Sequence, residues 1–453
     1  MIKKEPDPSE TRRAVVIGAG MAGLAAAGAL AEQVEQVVVL ERDALSTEAV
    51  SRRGTPQARQ LHGLLAGGLR ALDELFPGFE RDLARAGAVP LRANLDMRYE
   101  RPDDGPMPQR DLGWLTYAMS RPLIELVLRR RVAQLANVTL RPGCRAGAIV
   151  ATPEGRVAAV ALETASGGRE SLAGDLVVDA TGRGALSLDL LEAMGRSAPE
   201  ETIIGIDMGY ATAVVVIPDG ALPDCKGVAS YPRAPESSRA GLILPIEGGR
   251  SVVALLGRGV DRPPGDWDGF LAFAQQLAMP TIYHAIRRAE PPGEIARFGI
   301  AGSVWRHFDQ LDPFPRGLLP IGDAICRFNP IYGQGMSVAA QEACLLRRLL
   351  RTRAARGEPL AELGKAFLAE VRTLIDGPWR MSAIPDFTFP QTRGERPADL
   401  KSALAFSAAL NRLAARDPAI HKLVLQVQHL LKPRSLLRDP DLARRVTAEQ
   451  VAA

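Results

Sequence analysis

Gly18-Ala19-Gly20-Met21-Ala22-Gly23 stands between an apolar run at residues 14–17 and a small-residue run at 21–32. The first run has the length and β-branched content of a buried strand, and the second has the length of a helix. Residues 37–40 repeat the strand pattern just before an acid, Glu41. That order is a β-α-β unit, and it gives each glycine a separate task. Gly18 permits a tight turn, Gly20 lets the backbone approach a pyrophosphate, and Gly23 lets helix and strand pack closely. Backbone N–H groups at Met21 and Ala22 then open the helix toward the phosphates, where its dipole contributes about half a positive charge. Glu41, followed by Arg42, ends the second strand, where a carboxylate can accept hydrogen bonds from both hydroxyls of an adenosine ribose. An alanine-rich helix with chance glycine spacing explains the pieces but not their order.

The chain has 453 residues, enough for two or three packed units, and its 46% hydrophobic and 24% charged content is that of a soluble enzyme. Its net charge of +4 comes from scattered arginines with no aromatic-basic stripe, so no nucleic-acid partner is expected. Cys144, Cys225, Cys326 and Cys344 form no C-x-x-C pair, and the five histidines are dispersed. No metal site or disulfide framework is expected, and a cytoplasmic location fits. Lys3, Lys4, Arg12 and Arg13 ahead of an uncharged run imitate an export signal. Glycines interrupt that run and Glu32 and Glu35 follow it, so the strand-turn-helix reading is preferred and no integral membrane segment is expected.

Residues 1–11 read as a loose tail, 60–76 as a helix, and 91–117 as extended pieces around a turn at Pro102-Asp103-Asp104-Gly105. Residues 122–135 form an amphipathic helix with Pro122 in its first turn, and 138–178 form short strands. Strands dominate 201–260, with Ile204, Ile206, Met208, Tyr210 and Thr212 alternating and a hairpin around 247–250. One side of that alternating strand is a candidate lining for an apolar pocket, although packing against helices explains any one of its residues equally well. A buried strand at 318–321 precedes a loop and a helix to residue 356, and 360–453 read as helices broken at prolines.

The first unit alone does not separate FAD from NAD. Residues 174–184, GDLVVDATGRG, add a strand and a glycine turn, with Ser187 expected to cap the next helix. Gly322-Asp323 ends another apolar strand ahead of Phe328-Asn329-Pro330-Ile331-Tyr332-Gly333-Gln334-Gly335-Met336. Together the three segments resemble the group A flavoprotein monooxygenases, the para-hydroxybenzoate hydroxylase-like family, over residues 12–355. Details at 53–59 and 328–333 look closest to the bacterial polyether epoxidase branch.

The resemblance implies an α/β fold with a discontinuous Rossmann-like FAD-binding domain at 12–90, 119–200 and 298–357. A β-sheet substrate domain at 91–118 and 201–297 and a C-terminal helical region at 358–453 complete it. The last is expected as a buttress, with a pocket cover or homodimer contact as alternatives. Asp323, after Gly322, would bind a ribityl hydroxyl, and Arg53 and Arg121 would contact the cofactor. Surface ion pairing is the alternative for both arginines, and a structural role for His62. Asp179 and Gly182 would bring backbone near the flavin, and Pro330, Gly333, Gly335 and Met336 belong to the third segment. The helix after Gly335 would stabilise negative charge on the reduced ring.

The implied chemistry is oxygen transfer from a flavin hydroperoxide, with NADPH or NADH as transient reductant and O2 and an apolar small molecule as substrates. A single G-x-G-x-x-G and the lack of a cysteine pair argue against two-dinucleotide-domain disulfide reductases. A halogenase's W-x-W-x-I signature is absent. A reductase or dehydrogenase of an isoprenoid-like or polyketide substrate stays open, as does a non-catalytic scaffold. No catalytic acid or base is evident, a lean toward an alkene over a phenol.

Overall fold

The computed structural model describes residues 12–103, 105–222 and 224–451. The expected tail at 1–11, and Asp104 of the expected turn, lie outside the described residues. Arg13–Ile17 is a strand whose apolar side chains are buried on both faces, as the centre of a parallel sheet requires. Val16 stands opposite Val178 of Leu176–Asp179 on one side and Val39 of Gln36–Glu41 on the other. Leu318–Pro320 and Val138–Pro142 complete a five-stranded parallel sheet in the order 318–320, 176–179, 13–17, 36–41, 138–142. The three glycine-containing loops named above thus leave adjacent strands at one sheet edge, where parallel sheets hold their ligands.

Met21–Ala31 packs against the long helix Gly335–Ala355, which in turn packs on Ala66–Leu75. Short side chains in the first helix make that approach possible. A three-stranded antiparallel sheet is formed by Cys144–Ala151, Val157–Thr164 and Arg169–Ala173.

The large mixed sheet has eight strands in the order 326–327, 296–306, 201–215, 250–258, 240–246, 227–230, 97–101, 105–106. Its hairpin turns between Ile246 and Arg250, where the glycine pair stands. Glu201–Val215 carries a bulge between Gly205 and Met208, with Asp207 at φ 46°. Ile204, Ile206, Met208 and Tyr210 join the core shared with the parallel sheet. Ala211, Ala213 and Val215 instead pack with Trp267–Gln275 and Thr281–Ile286 in a second core. The sheet is therefore apolar on both faces, and on the face shared with the parallel sheet Tyr210 reaches Asn329.

Three local expectations are corrected. The helix expected at 60–76 begins only at Ala66, because Gln60 is bonded across to the large sheet and 61–65 are irregular. Ser187 sits inside Ala185–Ala193 rather than capping it. Its N–H and hydroxyl donate to Asp179 Oδ2 at 3.1 and 2.7 Å, so the strand-end aspartate does the capping. Pro378 and Pro385 lie within Leu363–Asp386 instead of breaking it. The remaining helices, Leu400–Arg416, Pro418–Gln428 and Pro440–Val451, share a separate small core. Among the described residues no helix is long and apolar enough to cross a membrane.

Asp179 is fully buried and also accepts from the N–H and hydroxyl of Thr181, at 3.0 and 2.7 Å. Asp179→Ala strands these donors and should cost about 2–3 kcal/mol. Chemical denaturation of the apoprotein checks this, with Leu172→Ala on the far sheet as a control expected to shift the midpoint less.

Candidate functional site

The glycine loop is fixed by contacts that leave no room for side chains. Gly18 has φ 105°, and a Cβ there would stand 2.8 Å from the carbonyl oxygen of Ala180. A Cβ on Gly23 would overlap the carbonyl oxygen of Gly18. Gly20 differs, because nothing lies within 4 Å of where its Cβ would be. The backbone is thus open at the position where a phosphate would approach, beside Met21 and Ala22, whose first-turn N–H groups have no intrahelical acceptor.

Glu41 is buried at 5% exposure, with Oε2 accepting from Ala19 N at 2.9 Å and Oε1 from Asp43 N at 3.0 Å. It therefore braces the turn it was expected to face. Arg52 closes this end: its Nη1 lies 2.9 Å from Glu41 and 3.1 Å from Asp43. Its Nε lies 2.7 Å from Glu125, and Nη2 donates to the carbonyl of Ala19 at 3.2 Å. Arg53, the residue nominated from the sequence, is exposed, as is Arg42, which donates to Gly54 O at 3.3 Å.

Arg121 is 6% exposed and stands 2.9 Å from Glu125, yet its Nη1 has no well-directed hydrogen bond. Burial lowers its affinity for the proton; neighbouring Arg52 adds to this, and Glu125 and Asp323 oppose it. A buried guanidinium with a spare donor suits an anionic or carbonyl oxygen.

At the far end, Gly322 has φ 66°, and its N–H donates to Glu342 Oε2 at 2.6 Å. A Cβ there would meet Ala22 at 2.8 Å. Cβ positions built on Gly182 and Gly335 would fall 4.0 and 3.6 Å from Asp323, and one on Gly333 would fall 3.8 Å from Gly63 O. The second and third segments therefore converge on Asp323. Pro330 is exposed at the start of a short turn capped by Asn329, and Met336 is half-buried in the first turn of the long helix.

Burial pushes Asp323 up to about 6, against the pull of Arg327, Arg121 and Arg306. Burial pushes Glu342 up to about 8, against the pull of the Gly322 N–H, and so favours its protonated form beneath that turn. His62 is pushed down to about 4 by burial and by Arg121, and its Nδ1 meets Gln60 O at 2.9 Å.

The contacts of Gln60 and Asp386, which complete the site, carried no sequence signal. Gln60 accepts from Thr212 at 2.6 Å and donates to Ala296 O at 3.3 Å, tying the loop to the large sheet. Tyr210 donates to Asn329 at 3.4 Å, and Asn329 donates in turn to Asp386 at 2.9 Å. Asp386 comes from the C-terminal region, and only the fold brings it here.

The open glycine backbone, the strand-end acid, the spare buried guanidinium and the cleft-end aspartate fit a dinucleotide laid between sheet edge and long helix. Such an arrangement suits the phosphates, ribose and ribityl chain of FAD. Residues 13–129 match the family described as FAD dependent oxidoreductase. Protein Rv3254 of Mycobacterium tuberculosis is 36% identical over 411 residues, which span 85% of this chain and 83% of that protein. This chain therefore belongs to the same family as that protein, and its residues 13–129 carry the FAD dependent oxidoreductase match. Kynurenine 3-monooxygenase of Salinispora tropica is 26% identical over 80% of this chain and 78% of its own. The fold is also that of a flavoprotein/dehydrogenase from Cytophaga hutchinsonii, with TM-score 0.67, 15% identity and 97% of each chain covered.

Gly20→Val should leave apoprotein stability near that of the parent, since its side chain enters open space, yet weaken FAD at least tenfold. Gly23→Val should lose both. Thermal unfolding of the apoproteins and titration with FAD check the pair.

Asp323 generates a second test. Its folded value lies above the ordinary 3.8, so its proton is held more tightly in the fold. Its favourable contribution is present below that ordinary value and is lost as pH rises through about 6. Asp323→Asn should therefore stabilise the apoprotein relative to the parent at pH 8 but not at pH 4, while weakening FAD at both. Paired melting curves across that range measure it.

Proposed function

We propose that this chain is an FAD-dependent monooxygenase that uses NADPH or NADH and O2 to hydroxylate or epoxidise an apolar, natural-product-like small molecule. Within that class we favour the epoxidase-like branch. The observation that carries the reading is the convergence of Gly182 and Gly335 on Asp323 beside the loop whose Asn329 meets Tyr210 of the large sheet. The named likeness to kynurenine 3-monooxygenase supports oxygen transfer as the reaction type.

In this reading the N–H groups at Gly20–Ala22 hold the pyrophosphate and Glu41 takes the adenosine ribose, with Arg52 released toward the phosphates. Asp323 accepts from a ribityl hydroxyl, and Gly182, Gly333 and Gly335 leave room for the ring. Arg121 supplies its spare donor. The N-terminus of Gly335–Ala355 lies where negative charge on the ring pyrimidine would be stabilised without a charged side chain. FAD, when bound, supplies electron storage and oxygen activation. Met208 and Tyr210 line the face of the large sheet toward Asn329 and keep water from that loop.

The nearby titratable groups favour a substrate that needs no proton removed. His62 is neutral at physiological pH, and burial raises the phenols of Tyr210 and Tyr332 far above it. Asp386 is engaged by Arg258 and Asn329. Burial makes His62 a weak base, the two phenols hold their protons and Asp386 is occupied, so strong base assistance to a phenol is poorly provided, whereas an alkene requires none.

Turnover of a panel of alkenes and phenols under isotopically labelled O2, with NADPH or NADH, tests the proposal. One labelled oxygen atom in an alkene product is expected. Substrate conversion without label would replace the proposal with a reductase or dehydrogenase using the same FAD site.

A further inference from the structure

Arg258 and Asp386 form an ion pair at 2.5 Å with side chains 3% and 1% exposed. Arg258 comes from the central hairpin of the large sheet, and Asp386 ends the helix Leu363–Asp386. Two charges this deeply buried are costly unless their remaining hydrogen-bonding capacity is used. Here it is directed at one loop. Both oxygens of Asp386 accept from Asn329 Nδ2, at 2.9 and 3.1 Å, and Tyr332 OH donates to Oδ1 at 3.4 Å. Asn329 Oδ1 accepts from Ile331 N at 3.2 Å and from Tyr210 OH at 3.4 Å. Thr392 closes the circuit, accepting from Arg258 Nη1 at 2.9 Å and donating to Asp386 O at 2.6 Å. The guanidinium also lies 4.5 Å over the ring of Phe389. One residue on, Arg393 exchanges backbone hydrogen bonds with Gly205 at the bulge, at 2.8 and 3.0 Å.

We propose that the Arg258–Asp386 pair is a positioning device that locks the Asn329–Tyr332 turn, and so the adjoining N-terminus at Gly335, in the arrangement that receives the flavin ring. The inference rests on the FAD site proposed above. It assigns residues 386–393 a specific duty: they fasten the ring-facing loop to the sheet that carries the substrate. A buttress would be served as well by apolar packing, which often equals or exceeds a buried ion pair in stability. The distribution of hydrogen bonds onto Asn329 and Tyr332 is what a buttress does not need.

That difference makes the test. Arg258→Met, Asp386→Leu and the double variant are prepared as FAD-loaded full-length protein. Each is compared with the parent by thermal melting, the visible absorption and fluorescence of bound FAD, the flavin reduction potential and the Kd for FAD. Both single variants should melt lower, since each leaves an unpaired buried charge. The double variant should recover most of the lost Tm while its flavin bands stay shifted and its Kd for FAD stays about tenfold weaker. Recovery of bands, potential and Kd along with Tm would overturn the proposal and leave the pair a packing element. Asp386→Asn provides the reading should the double variant not fold, since it keeps the shape and replaces one of the two oxygens that accept from Asn329 with a donor. Shifted flavin bands in it support the proposal, and parental bands and Kd overturn it. Failure of the underlying FAD site would look different, because the parent protein itself would retain no flavin.

Discussion

Everything at the proposed catalytic end depends on how closely three backbones meet beyond the strand Arg13–Ile17. The Gly18 turn lies against the carbonyl of Ala180, and the helix rises past Gly18 at Gly23 with no space for a methyl group. A side chain at either position would separate the first helix from the sheet and misalign the adjacent loops. Gly322 repeats the constraint from the third strand, packed against Ala22. The steric fit brings loops from sequence positions 18, 180 and 322 to one sheet edge. The same constraint leaves Gly20 open.

Electrostatics then distinguish the two ends of that edge. At the Glu41 end the buried Arg52 is matched by Glu41, Asp43 and Glu125, so its charge is well compensated. At the Asp323 end compensation is incomplete. Burial outweighs three arginines, and Arg121 Nη1 meets Glu125 at 2.9 Å without a well-directed hydrogen bond. Groups left in this state raise the free energy of the apoprotein and are relieved by a ligand that supplies hydroxyls and anionic oxygens. The less satisfied end is thus the one where the structure gains most from a bound cofactor, and it borders the apolar sheet face.

The parallel β-α-β unit was legible because glycine spacing and strand periodicity are local, and Gly18–Gly23 with Glu41 encode them within about one supersecondary unit. The convergence of Gly182, Asp323 and Gly335 is non-local and was expected only through the family resemblance. What stayed hidden was also non-local. Nothing near Asp386 marks it as a partner of Asn329, 57 residues away, or of Arg258, 128 residues away. The anchoring of Arg52 to Glu41, Asp43 and Glu125 depends on loop curvature, and the late start of the Ala66 helix depends on Gln60 reaching Thr212. Leucine spacing at 61–72 suggested helix, and a cross-sheet hydrogen bond overrode it.

A crystal structure of the FAD complex tests the account most directly. The account predicts the pyrophosphate within hydrogen-bonding distance of the Gly20–Ala22 N–H groups and a ribityl hydroxyl on Asp323. It also predicts the flavin ring lodged between Gly333–Gly335 and the Met208–Tyr210 face. Density for the ring away from that junction, or for the pyrophosphate away from Gly20, would contradict it.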